Sequence, residues 1–444
     1  MRAKRPVAQK GGPAAPLPRF VDGRVTQLAM GGDGVVQTEL GDVFRAGVFP
    51  GERVRLKGLR RQGKLLLAGD AEVLEASAQR RAAPCVHAEA CGGCAWMALA
   101  PEAQRDARRT LIERALTNAR VTPLQPVELD PAGLEQDLGY RSRARMRFEG
   151  GVLGYRASGS RRVVPIAHCV VQSDAIASAV TALGAALTAA AAPGGMDVHL
   201  GHGERGVVVE LRSDGPLPPT VYAAMERLVQ HGALQGVGIL AGGATSHAVF
   251  GDPAEAAVDL TGQPLSVPLA GFSQANPAVN QALVATAVLW AEASGQDTLE
   301  LYSGSGNLSV ALAASGAQLT AVERDEAASA LAMRNLAARG LSAKVLTGNA
   351  ADSPSKRFSR VVLDPPREGA EDAVGRIARV HRPDRIVYVS CDPRTLARDI
   401  ATLVHSGYQL ARVRGFDMFP RRPTSRPWRC SRVPLRLEAR RDAS

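Results

Sequence analysis

This chain of 444 residues has no long apolar run, no recognisable signal peptide and little lysine. No apolar run approaches the roughly 20 residues that a membrane-spanning helix needs, and residues 1–12 lack the apolar middle of a signal peptide. These absences predict a soluble, cytoplasmic protein. Only six of the 54 Lys and Arg residues are Lys, a bias that indicates a GC-rich gene rather than recognition of a ligand.

Charge and cysteine content narrow the function. A net charge of +11 and an isoelectric point near 9.8 indicate a polyanionic partner, and nucleic acid is the usual one. The length predicts more than one domain. Cysteines in a chain without secretory features favour metal binding or catalysis over disulfides. The six are Cys85, Cys91, Cys94, Cys169, Cys391 and Cys430.

The sequence of the N-terminal region predicts a disordered leader segment followed by a small barrel. Residues 1–16 are rich in Ala, Pro and Arg, and we expect them to be disordered. Residues 17–76 contain five short alternating segments separated by Gly, which favours an oligonucleotide-binding (OB-like) barrel. This stretch resembles the TRAM domain of RNA-modifying enzymes, and its basic strands and loops suggest RNA binding.

Three cysteines lie within ten residues in the pattern Cys85-x5-Cys91-Gly-Gly-Cys94. Thiols at this spacing converge on one ion or cluster, and a fourth ligand is available in Cys169. Zinc and an iron-sulfur cluster both remain open from the spacing alone. We interpret residues 77–270 as an α+β module that carries this site and presents substrate.

Basic residues alternate with small or apolar ones between Tyr140 and Phe148. In a strand this spacing places the basic side chains on one face. Four guanidinium groups in a row predict contact with phosphate. They belong to Arg141, Arg143, Arg145 and Arg147.

Strands and helices alternate from residue 271, which predicts a parallel sheet over residues 271–444. The Gly turn at residues 303–307 follows one strand, and Glu323 ends the next, where it is placed to accept ribose hydroxyls. NAD and S-adenosylmethionine both use this arrangement. Asp364-Pro365-Pro366-Arg367 at the end of a later strand is a form of the substrate-facing loop of methyltransferases, which favours S-adenosylmethionine.

Cys391 follows the apolar run 386–389 and precedes a helix that opens at Asp392-Pro393. A thiol at the mouth of a sheet and near the positive end of a helix is expected to be a thiolate, the form that attacks carbon. Free cysteines are often buried for structural reasons alone. The Gly turn and the Asp-Pro-Pro-Arg loop upstream favour catalysis here.

These stretches together resemble the RNA uracil-5 methyltransferase family, from about Arg19 to Pro420. The cysteine set and the TRAM-like barrel match its iron-sulfur branch, which includes the 23S rRNA enzymes. The matching stretches are Phe272-x-Gln274-x-Asn276, Leu301-Tyr302-x-Gly304-x-Gly306-Asn307, Glu323, Asp364-Pro365-Pro366-Arg367-x-Gly369, Ser390-Cys391-x-Pro393-x-Thr395-Leu396-Ala397-Arg398-Asp399 and Asp417-Met418-Phe419-Pro420.

The resemblance implies a class I S-adenosylmethionine methyltransferase domain with a Rossmann-like fold, behind an OB-like TRAM barrel and a central iron-sulfur module. It implies that Cys391 is the nucleophile and that a 4Fe-4S cluster is held by Cys85, Cys91, Cys94 and Cys169. The residues that it places around the methyl donor are Gln274, Tyr302, Asn307, Glu323, Asn349 and Asp364. The expected protein is a monomer whose partner is RNA, rRNA rather than tRNA.

The chemistry explains the residue types. Carbon 5 of uracil is a poor nucleophile, and addition of a thiolate to carbon 6 creates an enolate whose carbon 5 attacks the methyl group. Hydrogen-bond donors stabilise the enolate, and the base must leave its stack to reach the thiol. A general base then removes the carbon 5 proton so that the thiol can leave.

The chain departs from this family after Pro420. Relatives continue with Gln-Thr-Pro-His-Val-Glu, whose Glu is the expected base, whereas this chain has a basic stretch at residues 421–430. Permitted codons for that stretch, read one base out of phase, give the family's segment, so we hypothesise a single-base frameshift at about Pro420. Glu438 is a poor substitute for the base. The Arg-rich tail is expected not to replace the last strand, an antiparallel one between strands five and six of the sheet, which would open the sheet's interior. The arginines concerned are Arg421, Arg422, Arg426, Arg429 and Arg432.

Three functions therefore stay open. The first is an RNA uracil-5 methyltransferase acting on rRNA or tRNA. The second is an RNA-binding homologue without turnover, because the expected base is missing. The third, a methyltransferase acting on DNA cytosine or a protein amide, is disfavoured by the barrel and the cysteine set.

Overall fold

A computed structural model of the chain describes residues 16–29, 31–135, 137–158, 160–421 and 431–439. The chain divides into two compact units, Met1–Arg80 and Arg81–Ser444. The expected disordered leader lies outside the described residues except for its last residue. Within the described ranges, no helix combines the length and the apolar character that crossing a membrane requires.

The first unit contains a closed five-stranded barrel with the strand order β1-β2-β3-β5-β4. Val36, Val43, Val54 and Leu56 are fully buried inside it, as alternating strands require. A five-stranded barrel in this region is what the sequence predicted, and it is consistent with the OB-like TRAM type. The strands are β1 (Phe20–Leu28), β2 (Gly34–Thr38), β3 (Gly41–Arg45), β4 (Arg53–Gln62) and β5 (Leu65–Glu75).

The second unit begins with the cysteine-rich segment, followed by α1 (Pro101–Asn118), β6 (Glu128–Leu129) and α2 (Ala132–Glu135). A seven-stranded sheet with the order β13-β12-β11-β10-β7-β8-β9 follows, and α3 and α4 share its apolar core. Its elements are β7 (Ala144–Glu149), β8 (Val152–Arg156), β9 (Val163–Pro165), α3 (Asp174–Ala189), β10 (Met196–His202), β11 (Val207–Ser213), α4 (Pro219–Gln230), β12 (Gly236–Ala241) and β13 (Ala248–Gly251). The separate hairpin β14 (Glu255–Val258) and β15 (Pro264–Val267) comes next.

The remaining residues form an eight-stranded sheet with the order β18-β17-β16-β19-β20-β22-β21-β6. Strands β16 to β20 are parallel, as the alternation of strands and helices predicted. The elements are α5 (Pro277–Ala291), β16 (Asp297–Leu301), α6 (Asn307–Ala314), β17 (Gln318–Glu323), α7 (Glu326–Ala337), β18 (Lys344–Thr347), a 3₁₀ turn (Ala350–Asp352), β19 (Arg360–Leu363), α8 (Glu371–Arg376), a π-helical turn (Ile377–His381), β20 (Arg385–Ser390), α9 (Pro393–His405), β21 (Tyr408–Asp417) and β22 (Ser431–Ala439).

The first helix of the second unit packs on this eight-stranded sheet. Ile112 and Leu116 of α1 lie in the same buried cluster as Val361, Ile386 and Leu435. Strand β6 pairs with β21 at the sheet's edge. Part of the region 77–270 therefore belongs to the core of the sheet that follows it, and the domain boundary at residue 270 stays a prediction.

The expectation that the tail leaves the sheet's interior open is wrong. Strand β22 runs antiparallel between β20 and β21. Val433, Leu435 and Leu437 are fully buried, because alternate positions of this strand are apolar even though the stretch before it is basic. Arg436 ion-pairs with Glu292 at 3.2 Å instead of entering the core. Arg422, Arg426 and Arg429 lie outside the described residues, and the frameshift hypothesis now depends on the codon argument alone.

The expectation of four arginines on one phosphate-facing strand is wrong for two of them. Arg141 and Arg143 precede β7 and are buried, and Arg143 Nε lies 2.5 Å from Glu255. Arg147 ion-pairs with Asp197 at 2.9 Å. Arg145 is exposed. Spacing identified side chains that share a face, but it did not reveal which side chains are used inside the protein.

Candidate active site

Three parallel strands end side by side in the eight-stranded sheet. We term the side of the sheet where their carboxyl ends lie the reacting edge. Leu301 of β16 pairs with Leu363 of β19, and Leu363 pairs with Tyr388 of β20. The loops that follow these strands are the Gly turn, the Asp364-Pro365-Pro366-Arg367 loop and the turn at Cys391. Because parallel strands carry their functional loops at their carboxyl ends, the three predicted motifs meet at one edge.

Hydrogen bonds to the Glu323 carboxylate fix the conformation of the Gly turn. One carboxylate oxygen of Glu323 accepts the Gly304 N–H at 2.9 Å, and the other accepts the Asp325 N–H at 2.8 Å. Tyr302, Gly304 and Gly306 all have positive φ, so the chain turns back sharply after β16. Each carboxylate oxygen keeps a second lone pair, so Glu323 can hold this turn and still accept a ribose hydroxyl.

Helix α5 begins beside the same turn. The side-chain amides of Asn280 and Asn307 exchange two hydrogen bonds, each of 3.0 Å. Asn276 caps α5 by accepting from the Val279 N–H at 3.3 Å. The paired amides bring the half-buried Gln274 segment, which leads into α5, to the start of α6. Asn280 was not predicted from the sequence, because nothing in its spacing distinguishes it from the other polar residues of α5.

The two remaining predicted cofactor residues also follow strands at this edge. Asp364 directly follows β19, is half-buried, and its N–H donates to the Leu301 carbonyl at 3.4 Å. Asn349 is exposed and donates to Asp352 at 3.4 Å. Burial raises the pKa of Tyr302 to about 12. Tyr302 therefore stays neutral at physiological pH and can donate a hydrogen bond.

Cys391 is half-buried between the end of β20 and the start of α9. Asp392 caps α9 by accepting from the Arg394 N–H at 2.8 Å. Burial raises the pKa of the Cys391 thiol to about 11, and the positive charge of Arg367 acts in the opposite direction. The expectation of a thiolate in the free protein is therefore wrong, because burial outweighs the charge of Arg367.

The loop that carries Arg367 is fixed to α9. Thr395 Oγ1 donates to the Arg367 carbonyl at 3.1 Å, and Arg398 donates to the Glu368 carbonyl at 2.9 Å. Gly369 has a φ of +83°, and a Cβ there would lie 2.6 Å from Asp399. Only glycine fits this close approach, which explains its place in the motif.

Asp399 joins this loop to β20 from inside the protein. Its Oδ2 accepts from the Tyr388 hydroxyl and from the Ala370 N–H, each at 2.7 Å. Arg398 pairs with the other oxygen at 2.7 Å. Asp399 ends the motif that begins at Ser390, but the sequence alone assigned no role to it. An acidic residue among the apolar positions of α9 is the sequence signal that could have marked Asp399 as a buried carboxylate with a structural role.

The four predicted cluster cysteines line one cavity. Cys85, Cys91, Cys94 and Cys169 share its walls with Met97 and other side chains. Burial, and to a lesser extent the neighbouring Cys169, raise the pKa of Cys85. Among the described residues, however, no three His, Cys, Asp or Glu side chains are grouped as a bound metal ion requires. Cys430 lies outside the described part of the chain.

Glu438, which we expected to be a poor substitute for the base, pairs with the end of β20 opposite to the one that Cys391 follows. Glu438 pairs with Arg385 at the start of β20, while Cys391 follows the end of that strand. Its carboxylate ion-pairs with Arg436 and lies 3.5 Å from Arg385. Glu438 therefore lies near the start of β20, at the other end of the strands from the loops of the reacting edge.

Known proteins match this chain along most of its length. The model of the tRNA (uracil-5-)-methyltransferase family matches residues 267–352 and 349–424. The 23S rRNA (uracil(1939)-C(5))-methyltransferase RlmD of Bordetella parapertussis is 33% identical over an alignment 401 positions long that covers 85% of this chain and 86% of that protein. The RlmD of Halomonas elongata is 35% identical over an alignment 430 positions long that covers 88% of this chain and 85% of that protein.

A solved structure shares the fold. The tRNA (uracil-54, C5)-methyltransferase of Pyrococcus abyssi, in complex with S-adenosyl-L-homocysteine, superposes with a TM-score of 0.76 at 22% identity, covering 94% of this chain and 99% of that one. The predicted class I methyltransferase fold is thereby confirmed. The relatives that are 33% and 35% identical over most of the chain show that it belongs to the RNA (uracil-5-)-methyltransferase family.

Proposed function

We propose that this protein transfers a methyl group from S-adenosylmethionine to carbon 5 of a uridine in RNA, and that the RNA is 23S rRNA. The observation that carries the proposal is the meeting of Cys391, the Asp364–Arg367 loop and the Gly turn at one sheet edge. The family membership supports the reaction, and the names of the relatives support rRNA as substrate.

The donor site is assigned to the residues around the Gly turn. Glu323 would accept the ribose hydroxyls, and the Gly turn would let the backbone approach the ligand closely. Tyr302, Asn307, Gln274, Asn349 and Asp364 complete the proposed site. S-adenosylmethionine, when bound, supplies the electrophilic methyl group.

Cys391 performs the central step. The thiol loses its proton to solvent, its Sγ adds to carbon 6 of the uracil, and the electron pair of the 5,6 double bond moves to carbon 5 and the carbonyl oxygen at position 4. Carbon 5 then takes the methyl group, a base removes its proton, and the Cys391 sulfur leaves as the double bond reforms. Burial holds Cys391 as a thiol in the free protein, and Arg367 is the cation that favours the reactive thiolate.

RNA binding is assigned in part to the barrel. Arg60, Arg61 and Lys64 are exposed around the turn between β4 and β5. Cations concentrated on a loop contact phosphates without reading sequence. Many other basic side chains of the barrel are neutralised, for example Arg55, which pairs with Asp22 at 2.8 Å.

The cysteine cavity is proposed to hold a 4Fe-4S cluster. Four cysteine thiolates are the ligand set of a 4Fe-4S cluster, and all four line this one cavity. The test is iron and sulfide analysis after anaerobic purification. Cys94→Ser should lose both elements, while Cys430→Ser should keep them. Zinc without sulfide in the wild-type protein would reject the cluster.

The test of the function is incubation with RNA transcripts and S-adenosylmethionine labelled in its methyl group, followed by nucleoside analysis. Labelled 5-methyluridine that depends on Cys391 supports the proposal, and transcripts of 23S rRNA should accept more label than tRNA. Label in DNA but not in RNA would reject it.

The same incubation separates turnover from trapping. If no base removes the carbon 5 proton, methylated RNA stays bonded to Cys391, and a complex resistant to denaturing gel electrophoresis accumulates at one equivalent. Free labelled RNA in excess of the protein shows turnover. Cys391→Ala should abolish both signals.

A further inference from the structure

One face of α7 lies under the Gly turn. Ser329, Ala332 and Asn335 are spaced by three residues, which places them on one side of a helix, and all three are buried. Ser329 Oγ donates to the Glu323 carbonyl at 3.3 Å. A Cβ on Gly306 would lie 3.4 Å from Ala332. The helix therefore touches the turn at successive positions.

Asn335 makes the most specific of these contacts. Its side-chain NH₂ donates to the Ser305 carbonyl of the Gly turn at 2.8 Å and to the Ser266 carbonyl at 2.9 Å. Its side-chain oxygen accepts from the Ser266 N–H at 3.0 Å. Both carbonyls are acceptors, so only this orientation of the amide satisfies all three bonds. Asn335 is 3% exposed, so water does not replace a lost bond easily.

Ser266 belongs to the hairpin formed by β14 and β15, which is fixed at two further places. Arg339, one turn beyond Asn335, donates to Asp259 at 2.8 Å in the turn of the hairpin. At its other end, Glu255 accepts from the Ala270 N–H at 3.1 Å and pairs with Arg143. The hairpin thus connects α7 to the segment that leads to Gln274.

We propose that Asn335 is a positioning residue for the methyl-donor site. It fixes the Ser305 carbonyl, and with it the conformation of the Gly turn, by tying that turn to the hairpin β14–β15. This inference rests on the proposed function in assigning the turn to S-adenosylmethionine. Without Asn335 the turn samples other conformations, and the donor site is formed only part of the time.

The direct test is calorimetric titration of the full chain with S-adenosylhomocysteine. Asn335→Asp keeps the acceptor oxygen but replaces the donating NH₂ by a carboxylate oxygen facing two carbonyls. Asn335→Ala removes the side chain without that repulsion and serves as the second variant. We expect both to weaken binding at least about tenfold, which corresponds to about 1.4 kcal/mol. In methyl-transfer assays KM for the donor should rise more than kcat falls.

Arg339→Gln is the matched control. It removes a hairpin contact made two residues beyond the end of α7, at Asp259, without touching the Gly turn. It should therefore lower thermal stability while changing the affinity for S-adenosylhomocysteine less than about twofold. Equal losses of affinity in Arg339→Gln and Asn335→Ala would show a general structural effect and overturn the proposal.

Hydrogen exchange keeps the inference separate from the proposed function. Backbone amides of residues 303–307 should exchange faster in both Asn335 variants than in wild type and in Arg339→Gln, with or without ligand. If wild type binds no S-adenosylhomocysteine, the proposed function fails, yet faster exchange still supports the positioning role. Unchanged exchange in both variants would overturn it.

Discussion

Burial of Cys391 makes a specific prediction about the reactivity of its thiol in the free protein. The pKa is raised from an ordinary 9.0 to about 11, chiefly because the thiolate would be poorly solvated. At pH 8 this difference lowers the thiolate fraction about 100-fold. A more basic thiolate is intrinsically more nucleophilic, by about 6- to 10-fold over two pK units. Alkylation at pH 8 should therefore be at least about 10-fold slower than for the same thiol in unfolded chain.

The assay is timed alkylation with iodoacetamide, followed by trypsin and mass spectrometry of the peptide Ile386–Arg394, in which Cys391 is the sole cysteine. Unfolded protein provides the reference. Restricted access also slows alkylation, so the shape of the pH profile decides. The rate in the folded protein should still rise about tenfold between pH 9 and 10, whereas the rate of the unfolded reference should rise only about twofold. A plateau below pH 9 in the folded protein would refute the burial argument.

Three further predictions concern the sheet and its tail. Leu435→Ala should lower the free energy of unfolding by about 2–5 kcal/mol in urea denaturation, because Leu435 is fully buried in β22; a loss below about 0.5 kcal/mol would contradict the place of β22 in the sheet. Tyr388→Phe should cost about 1.5–3 kcal/mol in the same measurement, since its hydroxyl donates to the buried Asp399 carboxylate, and an unchanged stability would show that this bond is dispensable. Sequencing the gene across the codon for Pro420 should give codons that spell the family's segment one base out of phase, and a run of unrelated codons would reject the frameshift.

The architecture of the reacting edge was predictable because it depends on local signals. Apolar strands that end in Gly, Asp-Pro or Cys-Asp-Pro mark their own boundaries, and parallel strands must bring those ends together. Glu323, Asp364 and Cys391 were all located in this way. The structure adds the contacts that hold them, such as the bond from the Gly304 N–H to Glu323.

The electrostatic surroundings of individual side chains could not be predicted from the sequence. The helix start at Asp392 suggested a thiolate at Cys391, but burial of the thiol in the folded protein reverses this expectation. Arg143 looked like a phosphate contact until Glu255, more than a hundred residues later, was found beside it. In the tail the error had the opposite sign. The basic stretch suggested that the tail stays out of the sheet, although the alternate apolar residues of β22 are buried in it.

The central claim is that the sulfur of Cys391 bonds to carbon 6 of the target uracil. RNA in which 5-fluorouridine replaces uridine tests it directly, because the fluorine at carbon 5 cannot leave as a proton does and the adduct cannot resolve. With S-adenosylmethionine labelled in its methyl group, we predict a labelled protein–RNA complex that survives denaturing electrophoresis and maps to peptide Ile386–Arg394. A complex that forms equally well with Cys391→Ser, or labelled 5-methyluridine made by that variant at the wild-type rate, would contradict the account.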